Sequence, residues 1–494
     1  MKKIFATTLN AHDHNWYDGV LHYQAERYTR HKRNVYKGCW KKFYDTHFLP
    51  KIDSEIFTFT YTGGGVRDSR GIDAFETILK DHYEDINTFR PSNLWDYYYK
   101  DNIYYINHHQ SHMAYSFLSS QYEEADCLAV DGGGMFYRAM FADKNGHIKD
   151  ASIQLALGWL WNMACIFTGF HTLDAGKLMG LAGYGKYNSY VYSILELHNE
   201  ELRKYRDKFY FANERVMKSL KEQKIPKEDI AFTMQQYTND KIMEYLEEHK
   251  TSDNLCLSGG VAYNGYMNEL CTKMYKNVYV PPAVGDEGQS LGSYMHADYI
   301  INKNIHIPSV YSGQEYDIDM SEPDYHEIAK QIADGKIIGW YQGKSESGNR
   351  ALGNRSILAD PRNPNIKDII NSKIKLREDF RPFAPSVLEE YYQDYFDTDH
   401  PSPYMSRIVP VISDDIPGVT HIDGTARIQT VTKSQNERYY NLISAFHDIT
   451  GIPMLLNTSF NCQEPIVETP EDAMKTFKKC GLDTLVIGGK IICK

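Results

Sequence analysis

Along the first third of the chain, apolar runs of strand length alternate with short polar turns. "KIFATTLNAHDHNWYDGVLHYQAERY" reads as an apolar strand, a polar turn and a second strand, and "CLAVDGGGMFYRAMFADKNG" repeats that plan with glycines in the turn. Two such hairpins in one chain predict a duplicated α/β fold. Between them, "NIYYI" reads as a strand and "HHQSHMAYSFLSS" as the helix that follows it. Further on, "DIAFTMQQYTNDKIMEYLEEHK" places apolar residues at helical spacing, and "NLCLSGGVAYNGYMNEL" reads as strand, glycine turn and new helix. Turn glycines let backbone N–H groups approach an anion, and a following helix N-terminus favours negative charge, so both glycine turns are candidate phosphate sites as well as ordinary turns. In "PSVYSGQEYDIDMSEPDYHEIAKQIADGK" the pattern loosens, then resumes with a helix near Tyr325 and the strand "KIIGWYQ". The expected boundary lies there, giving domains 1–324 and 325–494. No solenoid-period repeat and no low-complexity tract interrupts either part.

Length supports that division, since 494 residues exceed the usual single-domain range. The formal charge of −11, from 54 Lys and Arg against 65 Asp and Glu, and the lack of a basic tail argue against a nucleic-acid partner. The start imitates a signal peptide, but His12 and Asp13 arrive before an apolar region develops, and no run reaches the roughly 18 apolar residues of a membrane span. The 8 cysteines contain no CxxC pair, which reads as reduced thiols and, with the rest, as a cytoplasmic protein without a membrane partner. The 39 tyrosines suggest no function.

Chemistry concentrates in a few places. His108 and His112 stand at i and i+4, so one helix face can present two imidazoles to one metal, although helical histidines are more often satisfied locally. His109 points off that face and reads as structural. Asp131, at a strand end in "AVDGGG", and Asp286, in "PAVGDEGQSLG", could complete an N2O2 set suited to iron, manganese or zinc; each could equally be a turn or helix cap. "GKSESGNRALGNRS" gathers Lys344, Arg350 and Arg355 among glycines, and arginine forks suit polyanionic ligands.

The blocks "NHHQSHMAYSF", "AVDGGG", "GKLMGLAGYG", "CLSGGVAYN", "PAVGDEGQSLG", "ESGNRALGNRSILADPR", "LREDFRPFAPSV", "HIDGTARIQTV" and "PMLLNTSFN" occur in the order seen in O-carbamoyltransferases of the NodU/CmcH type, and the chain resembles that family over nearly its whole length. The resemblance implies an N-terminal, duplicated actin-like ATPase (ASKHA) domain similar to tRNA threonylcarbamoyl transferases, and an α+β C-terminal domain similar to threonylcarbamoyl-adenylate synthase (YrdC-like). It implies that carbamoyl phosphate and ATP with Mg2+ give carbamoyl-adenylate in the C-terminal domain, and that the carbamoyl group passes to an acceptor hydroxyl at an N-terminal site carrying Fe2+ and a nucleotide. The metal ligands of the family fall on His108, His112, Asp131 and Asp286.

The same resemblance puts substrate and nucleotide binding on Gly132, Gly133, Gly180, Gly183, Gly259, Gly260 and Asn264, and on Lys344, Lys375, Arg377, His421, Arg427, Asn457, Thr458, Ser459 and Asn461 in the second part. Arg350, Arg355 and Arg381 are the candidate catalytic cations there, with Gly348 and Gly353 letting backbone approach the substrates. His12 is the candidate for hydrogen bonding to the acceptor hydroxyl, in competition with Asp13 and His14 and with a plain turn cap. The chain departs from the family in carrying Lys344 and Asn349 where Arg and Pro are usual. A small soluble acceptor, such as a sugar or natural-product hydroxyl, is expected, and a homodimer is compatible with the composition. A tRNA threonylcarbamoyl transferase, a sugar kinase and a non-enzymatic nucleotide sensor are the alternative readings.

Overall fold

The computed structural model describes residues 1–9, 15–30, 55–61, 82–132, 137–204, 218–220 and 222–494. His12, Asp13, His14 and Gly133 therefore lie outside the described residues. The chain divides into two compact units: Met1–Leu178, Lys186–Tyr263 and Leu270–Ser309 form the first, and Met179–Gly185, Asn264–Glu269 and Val310–Lys494 the second.

The first unit is built on two sheets. One contains β1 (Ile4–Leu9), β2 (Asn15–Tyr17), β3 (His22–Gln24), β4 (Ile56–Tyr61), β5 (Tyr98–Lys100) and β6 (Ile103–Tyr105) in the order β3-β2-β1-β4-β6-β5. The other contains β7 (Asp126–Val130), β8 (Ala139–Ala142), β9 (Ile148–Asp150), β10 (Asn254–Ser258) and β11 (Asn277–Tyr279) in the order β11-β10-β7-β8-β9. Both follow one plan. A strand continues through two antiparallel neighbours on one side (β1-β2-β3, β7-β8-β9), and on the other two later strands follow in parallel succession (β1-β4-β6, β7-β10-β11). The two hairpins legible in the sequence are thus the starts of two sheets with equivalent strand order.

All five residues of β7 are buried, as expected of a strand in the middle of its sheet. Helix α1 (His108–Ser120) follows β6; α2 (Leu157–Phe167), α3 (Lys227–His249) and α4 (Gln289–Ala297) complete the part relevant below. Helix α3 coincides with the helical run read from "DIAFTMQQYTNDKIMEYLEEHK".

The second unit carries one mixed eight-stranded sheet, formed by β12 (Ile338–Tyr341), β13 (Arg355–Ala359), β14 (Ala384–Leu388), β15 (Arg407–Pro410), β16 (Thr425–Val431), β17 (Met454–Ser459), β18 (Thr484–Ile487) and β19 (Lys490–Cys493). The order is β15-β16-β14-β17-β13-β12-β18-β19. Helices α5 (Tyr325–Ala333), α6 (Glu437–Thr450) and α7 (Pro470–Lys479) accompany it. Their core unites Ile328, Trp340, Leu358, Val387, Phe446, Leu455 and Leu485. Helix α5 begins at Tyr325, where the sequence pattern resumes, with Asp324 accepting from the Glu327 N–H as its cap. The described residues are therefore mixed α/β, with three sheets among them.

No helix among the described residues is long and apolar enough to cross a membrane. One expectation changes: the cysteines are not all thiols. Cys462 and Cys480 are joined in a disulfide, while Cys127, Cys256 and Cys493 are thiols. The pair is 18 residues apart in sequence and is brought together by α7 folding back toward the end of β17, which no local spacing reveals.

Candidate active site

Helix α1 starts immediately after Asn107. The Asn107 side chain accepts from the helix N-terminus (His109 N–H, 3.0 Å), and the Gln110 side chain accepts in return from the Asn107 N–H at 3.1 Å. Gln110 also donates to the carbonyls of Leu94 and Asp96, at 2.8 and 2.6 Å. This cap fixes the first turn, so His108 and His112 project from one face.

Their Nε2 atoms meet two carboxylates. His108 Nε2 is 2.8 Å from Asp131 Oδ2 and 3.3 Å from Asp286 Oδ1; His112 Nε2 is 3.3 and 3.4 Å from the same atoms. All four candidate ligand atoms lie within 4.8 Å of one another. Burial opposes charge on both histidines, but the two carboxylates outweigh it, raising His108 to about 10 and His112 in the same direction. Burial likewise opposes the carboxylate charges, yet the imidazoles hold Asp131 well below its usual range and Asp286 at about 2. Two nitrogens and two oxygens converging on one buried point fit a divalent transition ion, and iron, manganese and zinc all accept such a set. His109 is also buried, and burial, reinforced by the charge on His108, pushes it down to about 3; it stays neutral.

The scaffold behind the four is as specific as the four themselves. Asp131 follows β7, and its Oδ1 accepts the Gly132 N–H at 2.6 Å. Gly259 has φ +84°, and a Cβ there would fall 2.4 Å from the Val130 carbonyl oxygen. Gly260 packs on the Asp131 side chain, where a Cβ would be 3.0 Å from Oδ1. Gly158, in the first turn of α2, comes so near that a Cβ would be 2.4 Å from the Asp131 carbonyl oxygen. On the other flank, Asn15 donates to the Asp286 carbonyl at 2.9 Å and accepts from the Ser290 N–H at 3.1 Å. Glu287 accepts from the Gly285 N–H at 3.0 Å and from the Tyr263 hydroxyl, fixing the turn that carries Asp286. Sequence reasoning missed Gly158, Asn15 and Glu287, because nothing local says which distant backbone each will meet.

In the second unit the candidates form smaller groups. Lys375, buried, donates Nζ to the Ser459 carbonyl (2.5 Å) and hydroxyl (3.2 Å) and to Asn461 O and Oδ1 (3.0 and 2.7 Å). Burial and the neighbouring Arg350 push the Arg427 guanidinium well below its usual value, and Arg427 also reaches the Met405 carbonyl at 3.3 Å. His421 is lowered to about 4, chiefly by burial; Asp423 opposes the shift, and Arg427 and Lys367 add to it. Arg377 donates to Asn371 Oδ1 at 2.7 Å; burial and Arg381 lower it to about 9. Arg381 pairs with Glu378 at 3.5 Å.

Asn457 donates to Ala351 O, Ser386 Oγ and Gln429 Oε1, each at 3.0 Å, while Thr458 sits beside Ile357 in the sheet. Arg355 is turned inward: fully buried, it stacks 3.6 Å over the Tyr341 ring and donates to the carbonyls of Gln342 (2.6 Å), Gly343 (3.0 Å) and Asn354 (3.0 Å). Lys344 reaches Glu315 at 3.5 Å, and Asn349 is exposed. Gly180, Gly183 and Asn264, far upstream in the chain, belong to this second unit. Glu346 is a further residue that sequence reasoning does not single out: buried, its Oε1 accepts the N–H groups of Leu352 (2.6 Å), Asn354 (3.3 Å) and Arg355 (3.3 Å), setting the loop that carries the arginines. A lone carboxylate between Lys344 and Arg350 was the available signal.

The first unit thus holds a cluster of two histidines and two aspartates that could take a metal ion, and the second gathers several arginines and a lysine. The family models for the carbamoyltransferase N-terminus and C-terminus match residues 14–295 and 329–494, and the chain belongs to the carbamoyltransferase family. It is an enzyme of that class. It is 33% identical over 434 residues to nodulation protein NolO of Bradyrhizobium diazoefficiens, covering 79% of each chain. It is 35% identical over 257 residues to the 3'-hydroxymethylcephem-O-carbamoyltransferase of Amycolatopsis lactamdurans, a match spanning 49% of each. Among solved structures, the activator of 2-hydroxyisocaproyl-CoA dehydratase from Clostridium difficile, with bound ADPNP, aligns over 61% of this chain and 96% of its own; the identity is 13% and the TM-score 0.36, too low to bear on fold or chemistry.

Proposed function

We propose that this chain is an ATP-dependent O-carbamoyltransferase that works in two steps at two sites. In the second unit, read as YrdC-like, water hydrolyses carbamoyl phosphate to carbamate and phosphate, and the carbamate oxygen attacks the α-phosphate of ATP with Mg2+, giving carbamoyl-adenylate and releasing pyrophosphate. In the first, read as a duplicated actin-like ATPase fold, the acceptor hydroxyl takes the carbamoyl group and AMP leaves. The need for activation is chemical: nitrogen delocalisation makes a carbamate carbonyl a poor electrophile, and the mixed anhydride supplies a good leaving group.

The observation that carries the reading is the convergence of His108, His112, Asp131 and Asp286 in a chain of this family. These four would hold an ion, Fe2+ in the first instance and Mn or Zn otherwise, which when bound supplies Lewis acidity toward the carbonyl and the departing phosphate. The glycine turns at Gly132 and Gly259–Gly260 would let a nucleotide come close to the backbone beside Asp131, with the Gly132 N–H held by Asp131 Oδ1 and the Gly259 N–H by the Val284 carbonyl. His12, with Asp13 and His14 in competition, would take the acceptor proton. In the second unit Arg350, Arg427, His421, Arg377 and Lys375 supply positive charge for the triphosphate and carbamoyl phosphate, and Arg355 holds the loop bearing Arg350. Enclosure of the adenylate against water protects it from hydrolysis.

The acceptor is proposed to be a small soluble hydroxyl compound, a sugar or nucleotide sugar, and neither nucleic acid nor a bilayer. The test is incubation with ATP, Mg2+, carbamoyl phosphate, Fe2+ and a panel of sugars, nucleotide sugars and non-sugar alcohols, read by mass spectrometry. A sugar gaining one carbamoyl mass supports the reading. A gain on a non-sugar alcohol alone removes the acceptor assignment, and carbamoylated acceptor formed from carbamoyl phosphate without ATP removes the adenylate step.

A further inference from the structure

The Lys375 group contains a feature that carbamoyl transfer does not require. The turn 459–464 that receives the Lys375 ammonium is tethered to α7 twice. Glu464 Oε1 accepts from the Cys462 N–H at 3.3 Å and from the Thr476 hydroxyl of α7 at 2.8 Å, and Asn461 Nδ2 donates to the Glu464 carbonyl at 2.7 Å. The second tether is the Cys462–Cys480 bond, with Cys480 at the C-cap of α7. Both cysteines are buried, at 7% and 6% exposure, and their Cα atoms are 6.9 Å apart, just beyond the range of about 4.4–6.8 Å that bridged cysteines usually span. With the bridge in place, Lys375 Nζ is engaged by four protein oxygens on the turn. An ammonium has three protons, so this acceptor set saturates it.

We propose that Cys462 and Cys480 form a reversible redox modification site that controls Lys375. Oxidation ties the turn to α7 and holds the ammonium on Ser459 and Asn461. Reduction leaves the turn attached through Glu464 alone, so that the ammonium can exchange its protein acceptors for the oxygens of a phosphate. The co-reactant is a low-molecular-weight disulfide. One cysteine thiolate attacks a sulfur of that disulfide and expels one small thiolate; the other cysteine thiolate then displaces the second small thiolate and closes the bridge. Two protein thiols lose two electrons and two protons in all, and one small disulfide becomes two thiols. A bridge beside a working ammonium is the regulatory kind of disulfide in a reducing compartment, where structural ones are rare.

The coupling rests on reading Lys375 as an anion-binding residue, so the experiment separates the two claims. Full-length protein is poised with glutathione and glutathione disulfide across a range of ratios. Differential alkylation with peptide mapping identifies the bonded cysteines, amide hydrogen exchange follows residues 459–464, and pyrophosphate release from ATP and carbamoyl phosphate is measured on the same samples. The expected result is one Cys462–Cys480 cross-link, exchange in 459–464 slowed several-fold on oxidation, and pyrophosphate release lowered several-fold and restored by dithiothreitol. Cys480→Ser should keep the reduced rate and lose its dependence on the glutathione ratio. Failure of the cross-link to form, pairing of either cysteine with Cys493, or a bridge that leaves both exchange and rate unchanged would each overturn the proposal. Absence of pyrophosphate in both redox states, with exchange still responding, would overturn the adenylation reading and support the switch.

Discussion

His108 and His112 are legible from sequence because i and i+4 share a helix face, and Asp131 because a strand end followed by glycines marks a turn. Gly158 is not, although its hydrogen in place of a Cβ lets α2 approach the Asp131 backbone. Gly158→Ala would have to push backbone aside, since its Cβ would lie 2.4 Å from a carbonyl oxygen. The expected outcome is a fall in metal affinity of roughly 10–100-fold, the size seen when support behind a ligand is lost, with far-UV circular dichroism unchanged; a competition titration with a fluorescent chelator reads it. Arg355 illustrates the opposite difficulty: its place among arginines suggests a substrate contact, but whether a guanidinium faces a ligand or its own carbonyls depends on a fold that spacing does not encode.

Buried histidines also make a prediction about pH. In α4, His296 bonds the Tyr104 hydroxyl at 2.8 Å and the Leu94 carbonyl at 2.9 Å, and burial lowers it to about 4 from 6.5. Between those values the unfolded chain binds a proton at this site and the folded chain does not, so the site costs stability as pH falls, with a limiting slope of about 1.4 kcal/mol per pH unit. Glutamine cannot take up that proton. His296→Gln should therefore flatten the decline in urea-unfolding free energy from pH 7 to pH 5 relative to the native chain, whatever its effect at pH 7.

At the scale of elements, the strands and helices that the hydrophobic pattern marks out are largely those observed: β6 followed by α1, β7 followed by β8, β10 followed by a glycine turn, α3, α5 and β12. What the pattern lacks is pairing. Strand β12 lies in parallel beside β18, and β17 lies antiparallel between β13 and β14, partnerships set by burial across the whole unit and not by neighbouring residues. Helix α1 depends on its cap, because Asn107 and Gln110 satisfy otherwise orphaned N–H groups at the end that carries both histidines. Asn107→Ala should cost about 1 kcal/mol of stability, visible as a lower urea midpoint, and should weaken metal binding more than a comparable loss at the far end of α1. Equal effects at both ends would mean that the cap does not organise the site.

At the scale of the whole molecule, the repeated strand order of the first unit explains why two similar hairpins stand in one sequence. The candidate residues divide as the units do: the four candidate metal ligands belong to the first, and Arg350, Lys375 and Arg427 to the second. Arg350→Ala should then reduce pyrophosphate release from ATP and carbamoyl phosphate by an order of magnitude or more while bound metal, measured by atomic emission, stays stoichiometric; loss of the metal would contradict the separation. The most direct test of the two-step account is to measure pyrophosphate and carbamoylated acceptor in one reaction of His112→Ala. Continued pyrophosphate release with no carbamoylated product is the expected result, and loss of both together, or undiminished product, would contradict it.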